Sequence, residues 1–383
     1  MSLNIGRKGR VFAKLESSYG VSPGLAAGNA VRHVNLGITY DPYQRVTSPE
    51  KKESPGPVNR FNRRTVANLS PFEALIRPSG TLNTVPEIDP FLEAGFGAKR
   101  NVTLSTTITT GATTTVLPLT AVTGLQVGDA VIVVVSGKKY ARIVSVIATL
   151  DVTVTPALPS APADGAAVKG ALAYKLTTDL AKSLYIGHYL DGFARNLTGA
   201  GVDTVDLTFD GTEEARGSFS GPGRTQVSTG DGTLVAEPGA FTEVGGNPPT
   251  GMNGELRIGA IAYLHKNLSA QITNGIVTRN EEAGNDGLAT GVYRSGRRET
   301  SVSIECYVET PGTLYDHAVA GTEKSVFRQN GWTEGNILAI YMPRVEFKPA
   351  GTDDPDEATS WSFEGMALET VDGANDEVTL ILG

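Results

Sequence analysis

Few side chains in this sequence are of the types that do covalent or metal chemistry, and their spacing argues against it. Cys306 is the only cysteine, which leaves neither an internal disulfide framework nor a thiolate zinc site. In the run SVSIECYV, residues Val302, Ile304, Cys306 and Val308 alternate with Ser301, Ser303, Glu305 and Tyr307. That period of two makes Cys306 a small core residue of a strand rather than a nucleophile. The four histidines (His33, His188, His265, His317) never fall in the i, i+4 spacing of a helical metal site. His317, beside Asp316 on a short helical stretch, reads as solvent-exposed. No G-x-S-x-G elbow marks a serine nucleophile, and Gly221-Pro-Gly-Arg224 lacks the Lys-Ser/Thr of a phosphate loop. The acidic run Asp353 to Glu357 lacks the spacing and central glycine of a calcium loop and reads as a solvated turn. Ser228 to Thr233 and Asn285-Asp286-Gly287 read as turns, since Gly and Asn accept positive φ. These observations predict no catalytic site, no metal and no cofactor.

Composition bounds the class. The 383 residues include 45 Gly and 21 Pro, with 40% hydrophobic and 19% charged side chains, so a core can form and long helices should be scarce. The formal net charge of −8 argues against a general nucleic-acid binder. The basic start has no apolar stretch behind it, and the most apolar run, Ala130 to Val135, is too short to span a bilayer. Synthesis and folding in a reducing cytoplasm are expected.

The dominant local signal is the β-strand, over Arg63 to Arg77, Tyr185 to Leu190, Val202 to Phe209, Arg297 to Val308, Ile337 to Phe347 and Thr359 to Leu368. Two segments read as helices: Pro86 to Gly97, with proline and acids in its first turn, and Thr313 to Gly321, capped by Thr313. Each follows a strand that opens on an arginine pair, Arg63-Arg64 or Arg297-Arg298. Each such strand follows another strand and a long polar loop, Asp41 to Asn62 or Thr278 to Gly296. The order strand, long loop, strand, helix, strands thus occurs twice, which predicts an internal duplication. Between the two helices, about Lys99 to Ala173, the composition shifts to Thr, Val and Ala, as in a small inserted all-β domain. The expected fold is mainly β. Residues 1–98 and 174–235 form a first module, 99–173 the insertion and 236–383 a second module. The inserted stretch reads as an insertion at a surface loop, which domains tolerate well.

The two long loops are the candidate functional elements, because loops of this length in a compact β protein usually do something. The first carries Arg45, Lys51, Lys52 and Arg60 and leads into Arg63 and Arg64. The second carries Glu281, Glu282 and Asp286 and leads into Arg297 and Arg298. Either they are plain hairpin tips, or they are contact arms in which a basic arm of one subunit meets an acidic arm of another.

Four stretches carry a family resemblance: GRKGRVFAKLESSYGVSPG near the start, ALIRPSGTLNTVPEIDPFLEAGFG (Ala74 to Gly97), KSLYIGHYLDGFARNLTGAGVDTVDLTFDG (Lys182 to Gly211) and WSFEGMALETVDGANDEVTLIL (Trp361 to Leu382). Together they resemble the tail tube proteins of bacteriophages with long, non-contractile tails. The resemblance implies a β-sandwich with a flanking helix and a long loop arm, assembled into stacked rings. It implies a virion location, a tape-measure protein and tail-tip or terminator proteins as partners, and a lumen that DNA traverses without specific binding. Because single-module members imply six modules per ring, two fused modules imply three copies, with a hexamer as the alternative. The rivals are a related tail ring protein, a carbohydrate-binding adhesive module, which would want exposed aromatics, and a hydrolase, which would need convergent acids or a nucleophile with its base.

Overall fold

The alternation of apolar and polar residues along the strands sets the architecture. In Thr204–Asp210, residues Val205, Leu207 and Phe209 are fully buried, while Thr204, Asp206 and Thr208 lie on the other face. The computed structural model describes residues 9–50, 56, 60–179, 182–190, 193–229, 237–239, 245–280, 282–307, 313–349, 351–352 and 360–383. The chain is mainly β, and the described residues include two short α-helices, α1 (Asp89–Phe96) and α2 (Thr313–Val319).

Eight strands follow one another in a single antiparallel sheet, the inner sheet. Its order is Asn35–Asp41, Val66–Leu75, Arg216–Gly223, Thr204–Asp210, His265–Thr273, Glu299–Tyr307, Ser360–Leu368 and Leu338–Phe347. The short strand Gly351–Thr352 also pairs with Ser360–Leu368. The first four strands belong to the N-terminal half of the chain and the last four to the C-terminal half. They meet where Thr204–Asp210 pairs with His265–Thr273, from Thr204 opposite Thr273 to Asp210 opposite Asn267.

A second layer lies across the core from the inner sheet. In the first half its order is Thr225–Thr229, Phe193–Ala200, Leu184–Leu190, Arg10–Leu15, Ala30–Val31. In the second half it is Thr379–Leu382, the start of Leu338–Phe347, Lys324–Asn330, Gly254–Ile258, Ile261–Tyr263. One continuous core fills the space between layers and runs through both halves. Helix α1 closes the first half: Phe91 stacks on Phe72 with ring centroids 3.9 Å apart, and Phe219 packs beside both. The helix starts after the Pro86–Ile88 turn rather than at Pro86, and it ends at Gly97, whose φ of 101° only glycine adopts readily. The shorter α2 buries Leu314 and Ala318.

The Thr/Val-rich stretch is a separate six-stranded sheet, Ser105–Thr107, Ala167–Gly170, Ala130–Val135, Lys138–Ala148, Asp151–Thr155, Val116–Pro118, with its own core. Its stem is a pair of antiparallel strands, Gly97–Asn101 and Leu172–Leu176. Leu172–Leu176 pairs in turn with Thr379–Leu382, so the stem extends the outer sheet of the second half. The domain does not stand free. Val131, Val133 and Val135 face its own core, while Ala130, Ile132, Ala141 and Ile143 pack on Phe327, Ile337, Ala339, Tyr341 and Ile381. Burying both faces explains the continuous apolar run AVIVVV, which alternation alone would not produce.

Candidate functional site

The inner sheet has one dry face and one wet face. Across the eight strands the wet face presents Thr39, Asn68, Glu73, Ser218, Ser220, Asp206, Thr208, Ser269, Gln271, Glu299, Ser301, Ser303, Glu305, Ser362, Glu364 and Glu346, none of them buried. Hydroxyls, amides and carboxylates dominate it. Its cations include Arg216, Lys266 and Lys348; Lys266 sits 3.0 Å from Glu305, and Ser360 donates to the same carboxylate at 2.9 Å. These two bonds hold the Glu305 carboxyl below its ordinary range. Where the halves meet, the Gln271 amide donates to Asp206 at 2.6 Å across the strand pair. Ser269, Gln271, Ser301, Ser303, Glu346 and Glu364 line one shared concavity on this face.

The sheet also has an open edge. Among the described residues Asn35–Asp41 is the terminal strand and pairs only on its inner side, with Val66–Leu75. Its side chains Asn35, Thr39 and Asp41 are exposed, and backbone groups along such an edge are a template for another strand.

Each long loop rises from the same end of its strand pair as a short hairpin. The first pairs Arg45–Thr47 with Arg60–Asn62, placing Thr47 opposite Arg60. The second pairs Ile276–Arg279 with Gly291–Arg294. Its tip turns at Asp286 and Gly287, with φ of 50° and 76°, as the Asn-Asp-Gly run predicts. The second arm lies against the base of the first: the Thr65 amide donates to the Gly287 carbonyl at 3.0 Å, and Arg64 reaches Asn280 at 3.3 Å.

The sequence candidates fall in different settings. Arg45 and Arg60 are exposed, with Arg45 over the Tyr43 ring, and Arg63 and Arg297 are exposed at the arm bases. Arg64 donates to Gln44 at 2.7 Å as well as to Asn280. Glu282 pairs with Arg279 at 2.7 Å, and Asp286 is exposed at the tip. Arg298 is committed within the chain: its side chain is 6% exposed and is held by Glu377 at 2.5 and 2.7 Å and by the Thr177 carbonyl at 3.0 Å. Lys51, Lys52 and Glu281, like the acidic run Asp353 to Glu357, lie outside the described residues. Sequence reasoning missed the wet-face residues, whose signal was present in the alternation but was not read as a shared surface. It also missed Arg142, fully buried and paired with Glu255 at 2.8 Å, for which the sequence carries no signal.

Nothing in the described residues assembles into catalytic machinery. Cys306 is buried, and burial pushes its thiol up to about 12, so no thiolate forms at neutral pH. His33 and His188 lie 6.0 Å apart edge to face, and burial lowers the pKa of both. His317 is half-buried rather than exposed. Among the described residues no group of three or more His, Cys, Asp or Glu side chains gathers as metal ligands, and no helix is long and apolar enough to cross a membrane. Tyr140, the insertion's one aromatic, is packed 4.9 Å from Trp332 and offers no sugar platform.

The described residues thus combine two β layers, an open sheet edge, a polar wet face and two hairpin arms. A family model described as phage tail tube protein matches residues 6–367, nearly the whole chain. The chain belongs to the phage tail tube protein family. As a member it is a structural component of a phage tail, assembling with copies of itself and with other tail proteins. Its mainly β fold agrees with that membership. A search of curated proteins returns no match.

Proposed function

We propose that three copies of this chain close a ring with six β modules, that the rings stack into a hollow tube, and that the wet face of the inner sheet lines the channel through which DNA leaves the virion. One observation carries the reading: the strand order of the first half recurs in the second, in both layers, and among the described residues the outer edge of the first strand of the series has no partner. In the inner sheet, Asn35–Asp41, Val66–Leu75, Arg216–Gly223, Thr204–Asp210 are matched by His265–Thr273, Glu299–Tyr307, Ser360–Leu368 and the pair Leu338–Phe347 with Gly351–Thr352. Leu36 stands opposite Phe72 as Leu268 stands opposite Ile304, and Phe219 opposite Phe72 as Phe363 opposite Ile304. This recurrence supports reading the halves as a duplication, with their junction inside the chain as the template for the junction between chains.

On this template the free edge of Asn35–Asp41 in one copy pairs with Gly351–Thr352 in the next, closing the sheet so that no edge remains. The arm Asp41 to Asn62 of one copy reaches the arm base at Arg297 of its neighbour, as the second arm reaches Arg64 and Thr65 within the chain. A lumen of hydroxyls and carboxylates suits DNA passage, because a basic wall would exchange counterions with the phosphates and hold them. The inserted domain, packed on the layer away from the wet face, stands outside the tube.

Negative-stain electron microscopy of the purified protein tests the reading. Hollow tubes whose end-on rings show three copies and sixfold density support it. Six copies per ring would overturn the stoichiometry. Monomers at high concentration after long incubation would count against unaided self-assembly and favour a terminator or tail-tip role.

A further inference from the structure

The two halves are joined at two levels. In the inner sheet, Thr204–Asp210 pairs with His265–Thr273 over the full length of the shorter strand. In the outer layer, the stem strand Leu172–Leu176 pairs with Thr379–Leu382, from Leu172 opposite Leu382 to Lys175 opposite Thr379. Tyr174 on that stem is buried in the shared core, and its hydroxyl donates to Asp89 of α1 at 2.7 Å. One strand pair alone behaves as a hinge, since neighbouring strands tolerate a range of twist of about 25°. Two pairs in layers about 10 Å apart resist bending as a couple.

The inserted domain locks that couple. Its outward strands bury Ile132 and Ile143 against Phe327, Tyr341 and Ile381 of the second half. The Gln329 side chain accepts from the Ala141 amide at 2.8 Å and donates to the Lys139 carbonyl at 2.8 Å. Buried Arg142 crosses the same interface to Glu255, and Lys169 reaches Glu334 at 2.9 Å. A domain that began in the first half is thereby bonded to the second.

We propose that the inserted domain and its stem form an internal splint that presets the angle between the halves, so that a ring of this chain has two kinds of joint. The ring part of this statement rests on the function proposed above. The joint within the chain carries the inner strand pair, the stem and the docked domain. The joint between copies has the inner edge but no stem: only residues 320–323 separate α2 from Lys324–Asn330, where the first half carries the whole insertion. Among the described residues Thr225–Thr229, which corresponds to Thr379–Leu382, is accordingly the end of its sheet. Curvature is set by the splinted joint, and rings close last and part first at the other.

Two variants test this. One replaces residues 103–170 with Asn-Gly, turning the stem into a hairpin, for which Asn101 opposite Leu172 provides the register. The other, Gln329→Ala with Ile143→Ala, keeps the domain but loosens its dock. Hydrogen exchange on the monomers should show about tenfold faster exchange at Thr204–Asp210 and His265–Thr273 in both variants, with Arg10–Leu15 unchanged. Micrographs should show open arcs and rings of uneven curvature. Junction exchange within about twofold of the unaltered chain, or acceleration spread equally to Arg10–Leu15, would overturn the splint. Absence of rings from the unaltered protein would sink the ring reading, while exchange on monomers would still decide the splint.

Discussion

At the scale of single side chains, packing and protonation are what the structure makes measurable. Phe72 is fully buried between α1 and the inner sheet, with the Phe91 ring parallel to it at 3.9 Å. Phe72→Ala should cost about 3–5 kcal/mol through lost transfer energy and a cavity that the rigid sheet cannot collapse. Urea unfolding of the monomer measures it. Two histidines tie stability to pH. Burial, reinforced by His33 and Arg195, lowers His188 to about 4, and burial together with the Arg328 charge lowers His265 to about 4. The unfolded chain takes up these protons near the ordinary pKa of about 6.5, before the folded chain does. Their contribution is therefore intact at neutral pH, declines as pH falls from about 7 towards 4, and is flat below that. Thermal melts of the unaltered chain and of the double variant His188→Gln, His265→Gln should show the difference between them changing across that window. A pH-independent difference would contradict the assignment.

Among the elements, the edge strand and the arms are the ones the proposed ring relies on. The in-chain junction shows what the junction between copies should look like at residue level. Ser218 opposite Asp206 matches Ser362 opposite Gly351, and Thr39 matches Gln271. Since Asp206 and Gln271 touch at 2.6 Å, Thr39 of one copy should face Gly351 of the next. Opposed residues of an antiparallel pair have Cα atoms about 4.5–5.5 Å apart, within disulfide reach. The variant Thr39→Cys, Gly351→Cys should thus form chain-to-chain disulfides on oxidation of assembled tubes, with Cys306 buried and silent. Denaturing gels should show covalent trimers as the largest closed species. Bands no larger than the monomer in intact tubes would refute the register. The docking of the insertion also bears on its response to proteases. Its shared apolar interface with the second half should make limited proteolysis nick exposed turns without releasing the domain, as native gels can show.

For the whole molecule the question is charge placement. The net −8 belongs to the chain, but the fold gathers Glu73, Glu299, Glu305, Glu346, Glu364 and Asp206 on the face assigned to the lumen. Replacing Glu73, Glu299 and Glu364 with lysine should turn a surface indifferent to DNA into one that binds it with strong salt dependence. Gel-shift titration of tubes at two salt concentrations tests this. The same three substitutions on an outward face would have little reason to retard passage, so unchanged ejection from virions carrying the variant would displace these residues from the channel.

Much of this protein was legible in its sequence, for reasons that are local. A period of two in VDTVDLTF and SVSIECYV is a property of a few adjacent residues, and so is the stop of α1 at a glycine. The repeated order of strand, loop, strand and helix could be read because connections between neighbouring elements follow the chain. What the sequence could not carry is which surfaces meet. Arg142 carries no sign of its own burial in the sequence, and it is buried because Phe327 and Glu255, far along the chain, join Tyr140 around its guanidinium. Arg298 looked like a free arm-base cation, and Glu377 claims it. The wet face gathers acids and hydroxyls from strands scattered between residues 35 and 366. The order in which strands hydrogen-bond, and so which polar faces become one surface, is set by long-range pairing that periodicity does not encode. Local physics determined the elements; tertiary pairing decided the shared wet face, the open edge of the described sheet and the docking of the inserted domain.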